Sequence, residues 1–163
     1  MLTARRRGRA GPVISPLDAA LRFLAVRPRS EAEVRTRLLR AGHEATAIEQ
    51  TLERLRQDGL LDDAAFAQYW LEQRRTFRPR GARLVQAELR QRGIAADLAA
   101  EAATTLDTPE EDAYRAAFKR AHQLAHLEER AFRDRIGQLL ARRGFNWDTI
   151  APVVARLWSE LAA

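Results

Sequence analysis

Apolar residues recur along this chain at helical spacing, and the pattern repeats. Val34 and Leu38, Val85 and Leu89, and Ile136 and Leu140 are three i, i+4 pairs, each followed four residues later by a glycine: Gly42, Gly93 and Gly144. Both intervals between these glycines are 51 residues. An apolar pair that runs out at glycine describes the last two turns of a helix and its stop, with the glycine in the left-handed conformation. The residues after the glycines are His43, Ile94 and Phe145, and in a Schellman motif the side chain there meets the leucine of the last turn. Counting forward, Ile48, Leu52 and Leu55, then Ala99, Ala103 and Leu106, then Ile150, Val154 and Leu157 give an i, i+4, i+7 stripe, the apolar face of a further helix. Thr46, Asp97 and Asp148 suit the start of that helix; Thr46 to Glu49 reads as a capping box, and Asn146 is another candidate cap.

Each copy also has a leading amphipathic segment with acid near its start: 17–26, 62–75 and 110–126. Ala, Leu, Arg, Glu and Gln dominate and period-2 alternation is missing, so helix is expected throughout. The predicted fold class is all-α: an elongated tandem array of three three-helix repeats, at 17–61, 62–107 and 108–163. Units this small bury little alone and must lean on their neighbours. Residues 1–16 are expected to be a basic, disordered tail.

Charge sharpens this picture. The formal net charge is +6, and Lys119 is the single lysine. Residues 1–9 carry Arg5, Arg6, Arg7 and Arg9 without an acid, and residues 70–95 carry seven arginines against Glu72 and Glu88. Such clustering fits a surface that meets a polyanion, and guanidinium grips phosphate or carboxylate bidentately. Drift toward arginine codons would account for the residue type but not for the clustering. There is no cysteine, which excludes disulfides and thiolate metal sites and points to a reducing compartment. No apolar run reaches the roughly 20 residues of a membrane helix. The chain reads as soluble and cytoplasmic; an arginine-rich transit peptide is the alternative reading of its start.

Taken together, "LDDAAFAQYWLEQRR", "RPRGARLVQAELRQRGI" and "LLARRGFNWDTI", preceded by "ALRFLAVRPRSEAEVRTRLLRAGH", resemble the RecX family of bacterial regulatory proteins over roughly residues 17–160. The resemblance implies a chain of three three-helix repeats that binds in the groove of the RecA–DNA filament. It further implies inhibition of recombinase, ATPase and coprotease activity, with effects on DNA repair and the SOS response. It carries no catalytic residues.

The residues themselves give no catalytic constellation. No glycine-rich loop precedes Lys119, and no serine sits in a nucleophile elbow. His122 and His126 stand at i, i+4, the spacing of a zinc pair on one helix face, but Gln123 replaces the general base and no third ligand is evident. A solvated helix face is the preferred reading, with no metal and no cofactor. Asp62 with Asp63 and Glu110 with Glu111 fall at helix starts and read as caps and dipole partners. Trp70 is expected in packing and Trp147 nearer the surface.

The arginines remain. Arg74, Arg75, Arg78 and Arg80 surround Phe77 at a helix junction; Arg83 follows; Arg90 with Arg92, and Arg142 with Arg143, precede Gly93 and Gly144 in phase. They are the predicted contacts to RecA or to DNA, single- or double-stranded, through phosphate. Compensation of the helix dipole is the structural use of the same residues. A monomer is expected. The rival reading is a general DNA-binding helical-repeat module for which RecA is incidental.

Overall fold

The computed structural model describes residues 14–106 and 108–162. Within them the chain forms nine helices: α1 (Pro16–Leu24), α2 (Glu31–Arg40), α3 (Ala45–Gln57), α4 (Asp63–Phe77), α5 (Ala82–Gln91), α6 (Ala96–Thr104), α7 (Pro109–Gln123), α8 (Glu129–Arg142) and α9 (Trp147–Ala162). The arginines of the basic tail at residues 5–9 lie outside the described residues. Ser15 and Pro16, assigned to that tail from the sequence, instead cap and open α1.

The helices pack in threes, α1 to α3, α4 to α6 and α7 to α9, and each triple has its own core. The first holds Val34, Leu38, Ile48, Leu52, Leu55 and Leu61. The second holds Phe66, Leu71, Val85, Leu89 and Ile94. The third and largest holds Phe132, Ile136, Leu140, Phe145, Ile150 and Leu157. Three separate cores in chain order make a tandem array rather than a globule around one centre. The apolar positions that fixed the repeat in the sequence are buried, except that Leu106 falls beyond the end of α6 and is only half-buried.

The glycines stop α2, α5 and α8 as predicted. Their φ angles are +84°, +81° and +88°. In each, the glycine N–H donates to the carbonyl three residues back (Gly42 to Leu39, Gly93 to Arg90, Gly144 to Ala141), and the next N–H donates to the leucine carbonyl of Leu38, Leu89 or Leu140. These are the two bonds of the Schellman motif. Gly59 ends α3 in the same way, with φ +68° and the Leu60 N–H on the Leu55 carbonyl; its place outside the 51-residue register hid it.

Two sequence expectations are corrected, one about a cap and one about a histidine pair. Thr46 to Glu49 is not a capping box: α3 begins at Ala45, Glu44 is its N-cap, and no side chain caps it. The chain had turned at Glu44, two residues after the glycine and two residues before the first good capping side chain, Thr46. The capping box of this unit is at α2, where the Ser30 hydroxyl accepts from the Glu33 N–H at 3.2 Å and Glu33 accepts from the Ser30 N–H at 3.1 Å. Asn146 does cap α9, accepting from the Thr149 N–H at 2.9 Å, and Asp62 caps α4. The histidine pair is not formed on one face, because α7 ends at Gln123 and His126 lies in the following turn.

Ser30 also holds the first two units together. It is fully buried, and its hydroxyl donates to the carbonyl of Arg92 at 2.6 Å. Removing it orphans that carbonyl and the Glu33 N–H together. Ser30→Ala is therefore expected to cost about 2 kcal/mol, read as a lower urea midpoint by circular dichroism; an unchanged midpoint would show the joint to be held elsewhere.

Candidate nucleic-acid interface

Both joints between units are built on the same parts. At the first, the start of α2 docks on the glycine turn ending α5, through Ser30 and the Arg92 carbonyl. At the second, the start of α5 docks on the turn ending α8: the Gly81 N–H donates to the Arg143 carbonyl at 2.9 Å. Arg92 and Arg143 are one period of 51 apart, as are Ser30 and Gly81. The approach is close enough that a Cβ on Gly93 would collide with the Ala32 side chain, and one on Gly144 with Leu84 and its backbone. A Cβ on Gly42, in the first unit, would meet nothing within 4 Å among the described residues.

The arginines divide according to these joints. Arg74 and Arg80 both grip Glu88, the former at 2.7 Å. Arg75 stands 3.6 Å from Asp112, whose side chain is only 2% exposed and is also held by Arg115. Arg92 and Arg27 both hold Glu33, at 2.8 and 2.9 Å. Burial would raise the Glu33 carboxyl, but the Arg27 hydrogen bond and the Ser30 N–H outweigh it, leaving the group below the usual carboxylate range. Nearby, Asp63 accepts from the Glu31 N–H at 2.8 Å across the first joint, and its burial pushes its carboxyl up. Four of the predicted contact residues, Arg74, Arg75, Arg80 and Arg92, are thus joint and interhelical clamps. Each of the three carboxylates nonetheless serves two guanidiniums, so the clamps leave positive charge over.

Among the described residues, Arg78, Arg83, Arg90, Arg142 and Arg143 form no ion pair. Arg83 lies 3.4 Å from the Ala141 carbonyl across the second joint. Arg90 borders a cleft at the first joint with Arg37, Arg40 and Arg92, where Glu33 supplies the acid. Arg78, Arg142 and Arg143 meet in a cleft of about 520 Å³ at the second joint, joined there by Arg80 and Arg115; no carboxylate lines it. Arg142 and Arg143 also border a larger groove between α7 and α8, lined by Lys119, Arg120 and Arg135 against Asp134.

Sequence reasoning missed Arg115, Lys119, Arg120 and Arg135. They are spread over two helices among acids and average to little charge along the chain; only the packing of α7 on α8 gathers them. A cation count at i, i+4 on each helix separately would have found Lys119 and Arg115, and no more. Trp70 is used up structurally: its indole donates to Glu88 at 2.9 Å, and guanidiniums of Arg92 and Arg74 lie 3.7 and 4.5 Å from its ring. Trp147 is 67% exposed, as its place at a helix start indicated.

Among the described residues no group of three metal-ligating side chains is found, and no helix is long and apolar enough to cross a membrane. The second-joint cleft offers fixed positive charge with no lining carboxylate.

Comparison with known proteins agrees with this architecture. The family models for the first, second and third three-helix domains of RecX match residues 17–55, 62–102 and 109–154. The regulatory protein RecX of Prosthecochloris aestuarii is 34% identical over 86% of this chain and 92% of its own length. That of Pelodictyon phaeoclathratiforme is 33% identical over 80% and 81%. The RecX of Geobacillus thermodenitrificans is 36% identical over 83% of this chain, which spans about half (51%) of that longer relative. The crystal structure of RecX from Lactobacillus salivarius superposes with a TM-score of 0.80 at 23% identity, covering 89% of this chain and 96% of that one, a likeness of fold. With three domain models matched in order and these relatives aligned along most of its length, the chain belongs to the RecX family of regulatory proteins.

Proposed function

We propose that this chain is a non-enzymatic regulator that docks on the RecA–DNA filament and restrains its recombinase, ATPase and coprotease activities. It acts in the cytoplasm as a monomer without a cofactor, and so influences DNA repair and the SOS response. Family membership supports the regulatory role. The observation that carries the contact with a sheathed polyanion is the second-joint cleft, where Arg78, Arg142 and Arg143 face one opening with no lining carboxylate. An array with a positive cleft at each joint can touch phosphate while its helices meet adjacent protomers. The clamping arginines hold those clefts open at a fixed spacing.

A general DNA-binding module is the second reading, because the same cleft would serve bare DNA. The two differ in what they discriminate. The regulator binds RecA-coated single strands more tightly than bare ones and lowers RecA-driven ATP hydrolysis; the module binds both alike and leaves hydrolysis unchanged. Either way binding weakens as salt rises, since each neutralised phosphate releases counterions. Arg142→Glu with Arg143→Glu is expected to weaken filament binding about tenfold or more at low salt with an unaltered circular dichroism spectrum. Full hydrolysis in the presence of the protein, together with no retention of filament at low salt, would exclude the regulator.

A further inference from the structure

The aromatic rings of this chain are mostly spoken for. Phe23 is covered by the Arg29 guanidinium at 3.9 Å, Tyr114 by Arg156 at 4.0 Å, and Trp70 by Arg92; Trp158 packs on the buried Phe132. Phe77 is different. It ends α4, is 72% exposed, and borders the second-joint cleft together with Arg78, Arg80, Arg115, Arg142 and Arg143. Five guanidiniums line the same opening, yet none among the described residues stacks on the Phe77 ring. The ring adds nothing to any of the three cores. An apolar face left open beside three unpaired guanidiniums, those of Arg78, Arg142 and Arg143, matches one ligand chemistry closely: an aromatic base with phosphates on either side. The cleft, at about 520 Å³, falls within the ~300–1,000 Å³ typical of small-ligand sites.

We propose that the second-joint cleft is a single-strand nucleotide site, in which Phe77 stacks on one base while Arg78, Arg142 and Arg143 hold the flanking phosphates. This rests on the DNA contact proposed above and adds strand selectivity to it. A duplex offers its phosphates to the arginines but keeps the faces of its bases stacked on one another, so Phe77 gains nothing from it. A single strand offers both. The preference is sequence-tolerant, because every base has a π-face. Arg80 and Arg115 remain engaged with Glu88 and Asp112 and set the cleft walls.

The test uses the full chain and fluorescence anisotropy with three labelled probes of equal length: oligothymidylate, the same strand bearing abasic sites, and a duplex. Phe77→Ala is expected to weaken binding to oligothymidylate about tenfold and to leave the abasic strand, the duplex and the salt dependence unchanged. Phe77→Trp retains or tightens binding to oligothymidylate. Arg142→Ala with Arg143→Ala weakens all three probes and flattens the salt dependence. If Phe77→Ala matches the parent on oligothymidylate while the arginine variant does not, the stacking site is overturned and the DNA contact stands. If Phe77→Ala weakens only binding to RecA-coated strand, the ring is a protein contact and the nucleotide site is likewise overturned. If the parent chain binds none of the probes at low salt, the nucleotide site and the direct DNA contact both fall, and the filament assay alone decides the regulator.

Discussion

Gly144→Ala is expected to destabilise the protein by about 3 kcal/mol, whereas Gly42→Ala, at the same backbone conformation, costs about 1 kcal/mol. Their φ angles are +88° and +84°, so the left-handed strain on an added Cβ is alike. What differs is the neighbour. At Gly144 the new methyl group drives into the Leu84 side chain and backbone at the start of α5, while at Gly42 it meets open space. Backbone cannot swing aside as a long side chain can, so the second joint must widen, and the Gly81 N–H loses the Arg143 carbonyl. Gly93→Ala falls between, because the atom it strikes is the Ala32 methyl. Urea unfolding followed by circular dichroism ranks the three. In an array whose units are coupled only to neighbours, loosening one joint also divides a single transition into two. Equal losses at all three glycines would show that they matter only as helix stops.

Arg75→Glu is expected to cost about 3 kcal/mol of stability, and Arg78→Glu, three residues on, close to nothing. Arg75 is 35% exposed at its side chain and faces Asp112, buried to 2%. A glutamate there sets two carboxylates against one remaining guanidinium, that of Arg115. Arg78 is exposed and unpaired among the described residues. The two changes are therefore expected to separate stability from binding: Arg78→Glu to weaken the proposed DNA contact in a folded protein, and Arg75→Glu to weaken the joint between the second and third units. A double Arg75→Glu, Arg78→Glu variant would confound the two. An unchanged urea midpoint for Arg75→Glu would mean that the two carboxylates do not meet.

The fold was open to reading because it depends on local chemistry. Leucine and glycine four residues apart encode a buried last turn and its stop, and a side chain with no Cβ is the cheapest occupant of positive φ. Copies of that signal in register gave the three units, their stops and the positions of their cores. Misreadings came where two local signals competed, as at Thr46, where a good capping side chain stands one residue inside a helix that had already begun at Ala45, and at His126, past the true end of α7.

The site was only half legible. Clustering along the chain pointed to the arginines around Phe77, and Arg78, Arg142 and Arg143 do converge on one cleft. Arg74 and Arg80 instead close on Glu88, and Arg75 on a carboxylate thirty-seven positions away at Asp112. A guanidinium has the same charge in both roles, so the sequence by itself settled how many cations the region carries, where each helix stops and which faces are apolar. Only the tertiary structure decided which of those cations are neutralised, because that depends on how one unit seats on the next. The seating is set by the close approach at Gly81, Gly93 and Gly144, a fit between surfaces far apart in the chain that no local pattern encodes.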